Sequence, residues 1–156
     1  DTRGMQRLHE FHKVEIVKLC TQEQVETEFA GLLEDAQRPL QLLGLPYRIV
    51  SQCTGDLPFS AERVFDLEVY APGVQKWLEV SSVGVFGDFQ ARRGDIRYRP
   101  KDGKPRFVHA MNGSALATPR VWAALIEHGQ QDDGTVRLPE PLHAYMGGDT
   151  ILPRGA

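Results

Sequence analysis

An α+β domain built on a mostly antiparallel sheet flanked by helices is the fold class this sequence predicts, and three observations predict it. Strand-like segments outnumber helical ones and follow each other in hairpin-like order, which suits an antiparallel layer better than alternating βα units. No GxxxxGKS/T or GxGxxG stretch occurs, so the usual phosphate-cradling loops of the parallel-sheet nucleotide folds are excluded. With 156 residues, 41% hydrophobic and 25% charged, the chain has the size and composition of one ordinary domain with a real core.

Along the chain, Phe11, Val14, Ile16, Val17 and Leu19 alternate imperfectly with His12, Lys13, Glu15 and Lys18, predicting a strand with one face toward a core. Thr21 and Gln24 have capping-box spacing, and Val25, Phe29, Leu32, Leu33, Ala36, Leu40 and Leu43 recur at three and four residues up to Gly44. This is a long amphipathic helix, which Pro39 should kink in its last turns. Pro46 to Val50 reads as a second strand, Val64 to Tyr70 as a third ending at a Pro-Gly turn, and Trp77 to Ser82 as a fourth. Phe89 to Ile96 suits a short helix, and YRPKDGKPRFVHAM suits two strands joined around Asp102 and Gly103. From Ser114 to His128 the pattern is helical, capped either by Ser114 or by Thr118 with Pro119 in the favoured first position. The remainder is loop-rich, with a short strand at most.

Lys and Arg total 18 against 21 Asp and Glu, a net charge of −3, so no global basic field draws the chain to nucleic acid and any RNA contact is local. No apolar run approaches the roughly 20 residues that span a bilayer, and the start lacks the apolar stretch of a signal peptide. A cytoplasmic protein with no membrane partner is expected. Cys20 and Cys53 form no CxxC pair and read as free thiols in a reducing compartment. The five histidines show no HExxH-like spacing, so no metal-ligand cluster is read among them. The chain opens at Asp1 without an initiator Met and runs directly into strand-like sequence, which suggests a part of something longer.

Several polar residues sit where chemistry is possible. Glu15 in a strand interior needs a partner, either a structural cation or a ligand. Glu79, Ser81 and Ser82 put a carboxylate and two hydroxyls in a row, suited to a hard cation with phosphate oxygens or to capping the next turn. The run from Arg92 to Arg106 carries seven basic residues against Asp95 and Asp102, either a solvated hairpin face or a surface that touches phosphates. Arg120, near the start of an apolar helix, must pair with a carboxylate or face a ligand, and its fork suits phosphate. Ser114, after Asn112 and Gly113, is a helix cap or a contact to a small polar substrate.

As a set, these residues resemble the seryl-tRNA synthetase family, a class II aminoacyl-tRNA synthetase family, over the C-terminal two thirds or so of its catalytic domain. DTRGMQRLHEFHKVE is similar to the loop and second strand of motif 2, TGDLPFSAERVFDLEVYAP to the central block, EVSS and DFQARRGDIRYR to the ATP-side segment, and HAMNGSALATPR to motif 3. The resemblance implies a class II synthetase-like antiparallel sheet, incomplete at its N-terminus, with residues 1–156 as the C-terminal portion of that catalytic domain. It implies that Phe11 stacks on adenine, that Glu79, Val80, Ser81 and Ser82 hold ATP with Glu79 and Ser82 near Mg²⁺, and that Arg120 lies on the γ-phosphate side. Glu15 and Ser114 would bind L-serine, with Asn112 supporting that pocket, and Glu79 and Arg120 would be the catalytic pair. Implied too are two-step charging of tRNA(Ser) through seryl-adenylate and a homodimer formed through upstream regions.

Three departures from the family pattern shape the expectation. Ser81-Ser82-Val83-Gly84-Val85 stands where the family has SSCSN, which implies polar groups lost around the ATP and cation site. Ala110 and Met111 stand in the usual HTLNGS, which implies a hydroxyl lost beside the serine pocket. Nothing matches the coiled coil, motif 1, the Thr-x-Glu serine loop or the first strand of motif 2 with its arginine, so the segment alone is expected to have little activity. The alternatives are a paralogue that charges a non-tRNA carrier, against which the scarcity of cysteine for a zinc site counts, and a non-catalytic relative that keeps the fold for binding or regulation.

Overall fold

Five antiparallel strands carry the domain, backed by one long helix; the computed structural model describes residues 4–101 and 103–151. In chain order the elements are β1 (Lys13–Cys20), α1 (Val25–Leu42), β2 (Tyr47–Ser51), β3 (Arg63–Ala71), β4 (Lys76–Val85), α2 (Phe89–Gly94), β5 (Arg97–Tyr98), β6 (Arg106–Phe107), β7 (His109–Ala117), α3 (Thr118–Gly129), β8 (Val136–Arg137), α4 (Glu140–Met146) and β9 (Thr150–Ile151). The main sheet runs β1-β7-β4-β3-β2, every neighbouring pair antiparallel. Hairpin order holds for β2, β3 and β4, whereas β7 inserts between β4 and β1 and brings chain-distant segments together. β5 and β6 form the expected hairpin as a separate ribbon, and Asp102 of its turn lies outside the described residues.

The helix spacing read from the sequence is the spacing that packs. Phe29, Leu32, Ala36 and Leu40 are at most 4% exposed and join Leu67, Val69, Val83, Val85 and Met111 of the sheet in one core cluster. Before α1 comes a single 3₁₀ turn, Gln22–Gln24, where the Thr21 N–H donates to Gln24 Oε1 at 3.1 Å. At the far end Gly44 takes φ 65°, its N–H donates to the Gln41 carbonyl, and the Leu45 N–H donates to the Leu40 carbonyl. That is a Schellman close, with its two flanking leucines both buried. Pro39 removes one backbone donor, yet the helix continues to Leu42.

Four expectations are corrected. In β1, Val14, Val17 and Leu19 are 59%, 60% and 50% exposed, because β1 is an edge strand and its core-facing residues are Ile16 and Cys20 with Lys18 between them. Lys18 instead reaches back to Glu28 and Asp35 of α1, each at 3.5 Å. Ser114 does not cap a helix; it lies inside β7, and α3 begins only at Thr118, with Ala117 at the capping position and Pro119 in the first turn. Thr118 spends both its hydroxyl and its N–H on the His12 carbonyl, each at 3.1 Å. The small residues of this stretch satisfy helical and extended patterns alike, and pairing with β1 as far as Ala117, continuing a strand that β4 pairs at Met111 to Gly113, decides for the strand. β4 runs to Val85, three residues past its expected end, and the C-terminal stretch adds a short helix, α4, closed by Gly147 at φ 76°.

Candidate functional site

Two β-bulges interrupt the strands that carry the polar residues, and the one in β4 decides which of them share a face. In β4, Ser81 stands opposite Leu67 and Glu79 opposite Glu68, which leaves Val80 as the extra residue. Val80 drops into the core cluster, and Glu79 and Ser82, three apart, come to line the same cleft. An unbroken strand would turn residues three apart to opposite faces. In β7 the extra residue is Ala115: Leu116 faces Val14 and Ser114 faces Glu15. Asn112 and Ser114, two apart before that bulge, share the cleft face with Glu15 of the neighbouring strand by ordinary alternation.

The cleft has two lobes. The larger, about 420 Å³, is lined by Gln6, Arg7 and Leu8 of the N-terminal segment and by Phe11, Val80 and Arg120. The smaller, about 210 Å³, is lined by Glu15, Asn112, Ser82, Gly84 and Phe86. Lys13, Glu79 and Ser114 belong to both, so they mark where the lobes join. Of the residues that the family resemblance assigns to serine, ATP and Mg²⁺, Ser81 alone lines neither lobe.

Ser81 is 4% exposed, and its hydroxyl donates to the Ser114 carbonyl at 2.6 Å. The β4–β7 ladder covers only Val83 to Val85, and this side chain bridges the strands where the ladder has ended. Its hydroxyl is thus spent on the fold, and the Val80 side chain is buried, so these two positions can offer a ligand little beyond main-chain groups. Among the described residues Arg120 forms no ion pair with a carboxylate, although its charge is felt by the Glu79 carboxyl. Its Nη1 donates to the Glu79 main-chain carbonyl and its Nε donates to the Gln6 carbonyl at 3.2 Å. Two carbonyls fix the fork at the edge of the larger lobe while the guanidinium keeps its full charge.

Glu15, in a strand interior, has a structural cation beside it in Lys13. Its side chain is 37% exposed, with Lys13 Nζ at 2.9 Å and the Ser114 hydroxyl donating to it at 3.4 Å. Phe11, 48% exposed, presents an apolar ring to the larger lobe. Asn112 Nδ2 donates to Gln90 Oε1 at 3.2 Å.

Glu79 is the electrostatic centre. Partial burial first, then the carboxylates of Asp66 and Glu68, push its carboxyl above the usual range, against the opposing pull of Arg120 and Lys13. Asp66 stands in register with Ser82 and Glu68 with Glu79, so each of these β4 residues faces a carboxylate on β3. Asp66 Oδ2 accepts from Gln52 Nε2 at 2.8 Å, whereas its Oδ1 is buried without a partner among the described residues. A carboxylate, a hydroxyl and surplus negative charge form a hard oxygen set, which fits a small divalent cation that also holds phosphate oxygens. The sign of the Glu79 shift carries a prediction. With its proton held more tightly in the folded than in the unfolded chain, stability falls as pH rises from the ordinary carboxylate range through the raised value. Glu79→Gln is therefore expected to be more stable than the parent near pH 7 and equal to it at a pH below the ordinary carboxylate range, where Glu79 is protonated both folded and unfolded. Urea midpoints at the two pH values check this, and a less stable variant near pH 7 would contradict it.

The family departures acquire locations. Val83 and Val85, at 0% and 2% exposure, belong to the core cluster, so polar groups are not lost from the cleft at those positions. Gly84 alone lies in the smaller lobe, where a Cβ would come within 2.9 Å of the Phe86 ring. Ala110 is 2% exposed and lines neither lobe, so its methyl does not border the smaller lobe. Sequence reasoning missed Lys13, Asp66 and Gln90 as site residues. For Lys13 the available signal was its place two residues before Glu15, on the same strand face; Asp66 and Gln90 become visible only through cross-strand register and helix placement.

Away from the cleft, the basic hairpin is exposed. Arg92 and Arg97 lie over the Phe107 ring at 5.1 and 4.5 Å, Arg93 lies over Phe89, and Asp88 and Asp95 pair with Arg92 and Arg97. No ion pair involves Arg99, Lys104 or Arg106 among the described residues.

Residues 1–129 match the family model described as tRNA synthetase class II core domain (G, H, P, S and T). The chain is 53% identical over 155 residues to a serine--tRNA ligase of Thermomicrobium roseum, covering 99% of this chain and 35% of the relative. It is 55% identical over 148 residues to that of Gemmatimonas aurantiaca, covering 94% and 35%. Among solved structures it is similar to seryl-tRNA synthetase from Pyrococcus horikoshii complexed with ATP, with TM-score 0.93 and 42% identity over 98% of this chain and 34% of that one. It is also similar to cytoplasmic serine-tRNA ligase from Naegleria fowleri in complex with AMP, with TM-score 0.90 and 31% identity over 99% and 37%. The chain thus spans about a third of the length of the relatives it matches. No helix among the described residues is long and apolar enough to cross a membrane.

Proposed function

We propose, since the chain belongs to the class II tRNA synthetase core-domain family, that residues 1–156 are the C-terminal part of a catalytic domain that activates L-serine with ATP and passes it to tRNA(Ser). The observation that carries this reading is the pair of lobes joined at Lys13, Glu79 and Ser114. Two reactants held in adjoining chambers meet at one junction, which is the geometry an in-line displacement needs.

In the larger lobe the Phe11 ring would stack on adenine, and Arg120, braced by two carbonyls, would meet the γ-phosphate side. In the smaller lobe Glu15, Ser114 and Asn112 would take the serine ammonium and hydroxyl. A serine carboxylate oxygen then attacks the α-phosphorus, the bond to the bridging oxygen breaks, and pyrophosphate leaves. In the second step the terminal ribose hydroxyl of the tRNA attacks the acyl carbon and AMP departs. Glu79 and Ser82 would hold Mg²⁺, which when bound neutralises phosphate charge. Lys13, at the junction of the lobes, would stabilise the negative charge that develops at the α-phosphate. A pocket that hydrogen-bonds the serine hydroxyl leaves its own groups unpaired with alanine, a mismatch worth up to about 10⁴ to 10⁵. Cytoplasmic location and a homodimer formed through other parts of the protein belong to the same reading.

The test is amino-acid-dependent ATP–pyrophosphate exchange by the longest chain that contains residues 1–156, with serine, alanine, glycine and threonine. Exchange with serine alone is expected. Exchange with none would favour a non-catalytic relative, and exchange favouring alanine or glycine would favour a paralogue that charges another carrier.

The tRNA side brings a further expected result. The chain holds seven basic residues between Arg92 and Arg106 and is acidic elsewhere, and that hairpin stands apart from the main sheet. Changing Arg99 and Lys104 to Glu is expected to weaken tRNA binding and to flatten its salt dependence by about one to two phosphate contacts, while the KM for ATP stays unchanged. An unchanged salt slope would assign the hairpin to solvation only.

A further inference from the structure

Asn112 is the one carboxamide in the smaller lobe, and a carboxamide presents a donor at one end and an acceptor at the other. Its Nδ2 donates to Gln90 Oε1 at 3.2 Å, from a partly buried position in β7 to a partly buried one in the first turn of α2. That bond commits the donor end of Asn112 to α2 and leaves Oδ1 as its acceptor. The lobe then offers acceptors at Glu15 and at Asn112 Oδ1, which suits a donor-rich ligand head, an ammonium beside a hydroxyl. A reversed amide would present N–H groups there and repel the same ligand.

The structure assigns Gln90 a positioning role: through its bond to Asn112 it fixes the orientation of that amide, and so the acceptor that the amino-acid lobe shows to its substrate. The choice of serine as that substrate rests on the function proposed above, whereas the orientation of Asn112 does not. Gln90 reaches the reacting atoms only through Asn112. Its removal therefore acts on amino-acid binding and leaves the nucleotide lobe as it was.

The experiment compares Gln90→Met, which keeps the shape and removes the acceptor, with Gln90→Glu, which keeps an acceptor at the same reach. In the longest chain that contains residues 1–156, Gln90→Met is expected to raise the KM for serine about tenfold with the KM for ATP unchanged, and Gln90→Glu to recover most of that loss. Equal rises in both KM values, or a Glu variant as impaired as the Met variant, would overturn the assignment. A second measurement needs no activity: the side-chain amide protons of Asn112, observed by ¹⁵N NMR, are expected to lose their protection from exchange in Gln90→Met and to keep it in Gln90→Glu. Protection unchanged in Gln90→Met overturns the positioning role whatever the substrate. An unmodified chain that shows the expected protection but no serine-dependent exchange would support the positioning role and overturn the serine reading alone.

Discussion

Arg120→Ala is expected to slow serine-dependent ATP–pyrophosphate exchange by about 10²–10³-fold, the usual effect of removing one preorganised donor from developing charge. The estimate follows from how the side chain is held. Arg120 bonds to the carbonyls of Gln6 and Glu79, so its fork is fixed before any ligand arrives, and it forms no ion pair with a carboxylate among the described residues. Truncation removes that charge from the larger lobe and also frees the Glu79 carbonyl, loosening the junction between the lobes. Arg120→Lys is expected to recover little, because an ammonium cannot reproduce the planar fork that joins two carbonyls while facing phosphate. The readout is the exchange rate with saturating serine, alongside an unfolding midpoint to show that the variant is folded. A folded Arg120→Ala chain with exchange within threefold of the parent would remove Arg120 from the catalytic pair.

The second large effect is on stability. Leu32 is 0% exposed on the face of α1 that meets the sheet, in one cluster with Leu67, Val83 and Met111. Leu32→Ala is expected to cost about 2–5 kcal/mol, the transfer term of the lost methyl groups plus the cavity they leave. Partners from β3, β4 and β7 are held in register by backbone ladders and cannot collapse into the space, which favours the upper part of that range. Because β4 and β7 also carry Glu79, Ser82, Asn112 and Ser114, the same substitution should weaken ligand binding as the junction loosens. Urea unfolding gives the number, and a change below about 1 kcal/mol would show that α1 does not anchor the sheet.

Much of this architecture is written in local pattern. α1 was legible because its apolar residues recur at helical spacing and end at a glycine, and nothing else in the chain competes for that stretch. β3 and β6 were legible from β-branched and aromatic residues beside turn residues. The stretch from Ser114 to Ala117 was misread because alanine, serine and leucine suit either state. Its conformation depends on β1, almost a hundred residues upstream, and on β4.

The candidate site divides in the same way. Residue identity was available from the start: the motif order named Phe11, Glu15, Glu79, Ser82, Asn112, Ser114 and Arg120, and all of them line the cleft. Their roles with serine, ATP and Mg²⁺ are the proposal that the exchange measurement tests. Which side chain is free to serve was not available, because a hydroxyl such as that of Ser81 looks alike in sequence whether it meets ligand or bridges strands. The consequence of Val83-Gly84-Val85 was also hidden, since strand alternation and the Val80 bulge decide which of the three faces the cleft.

The order of residues therefore settles which elements form and which chemistry the chain carries, since propensity and periodicity act over a few neighbours. Only the packed sheet decides that Glu79 and Ser82 share a face, that Arg120 is braced by carbonyls, and that Gln90 reaches Asn112. Those relations hang on bulges, register and contacts between distant segments, which are fixed when side chains compete for one core.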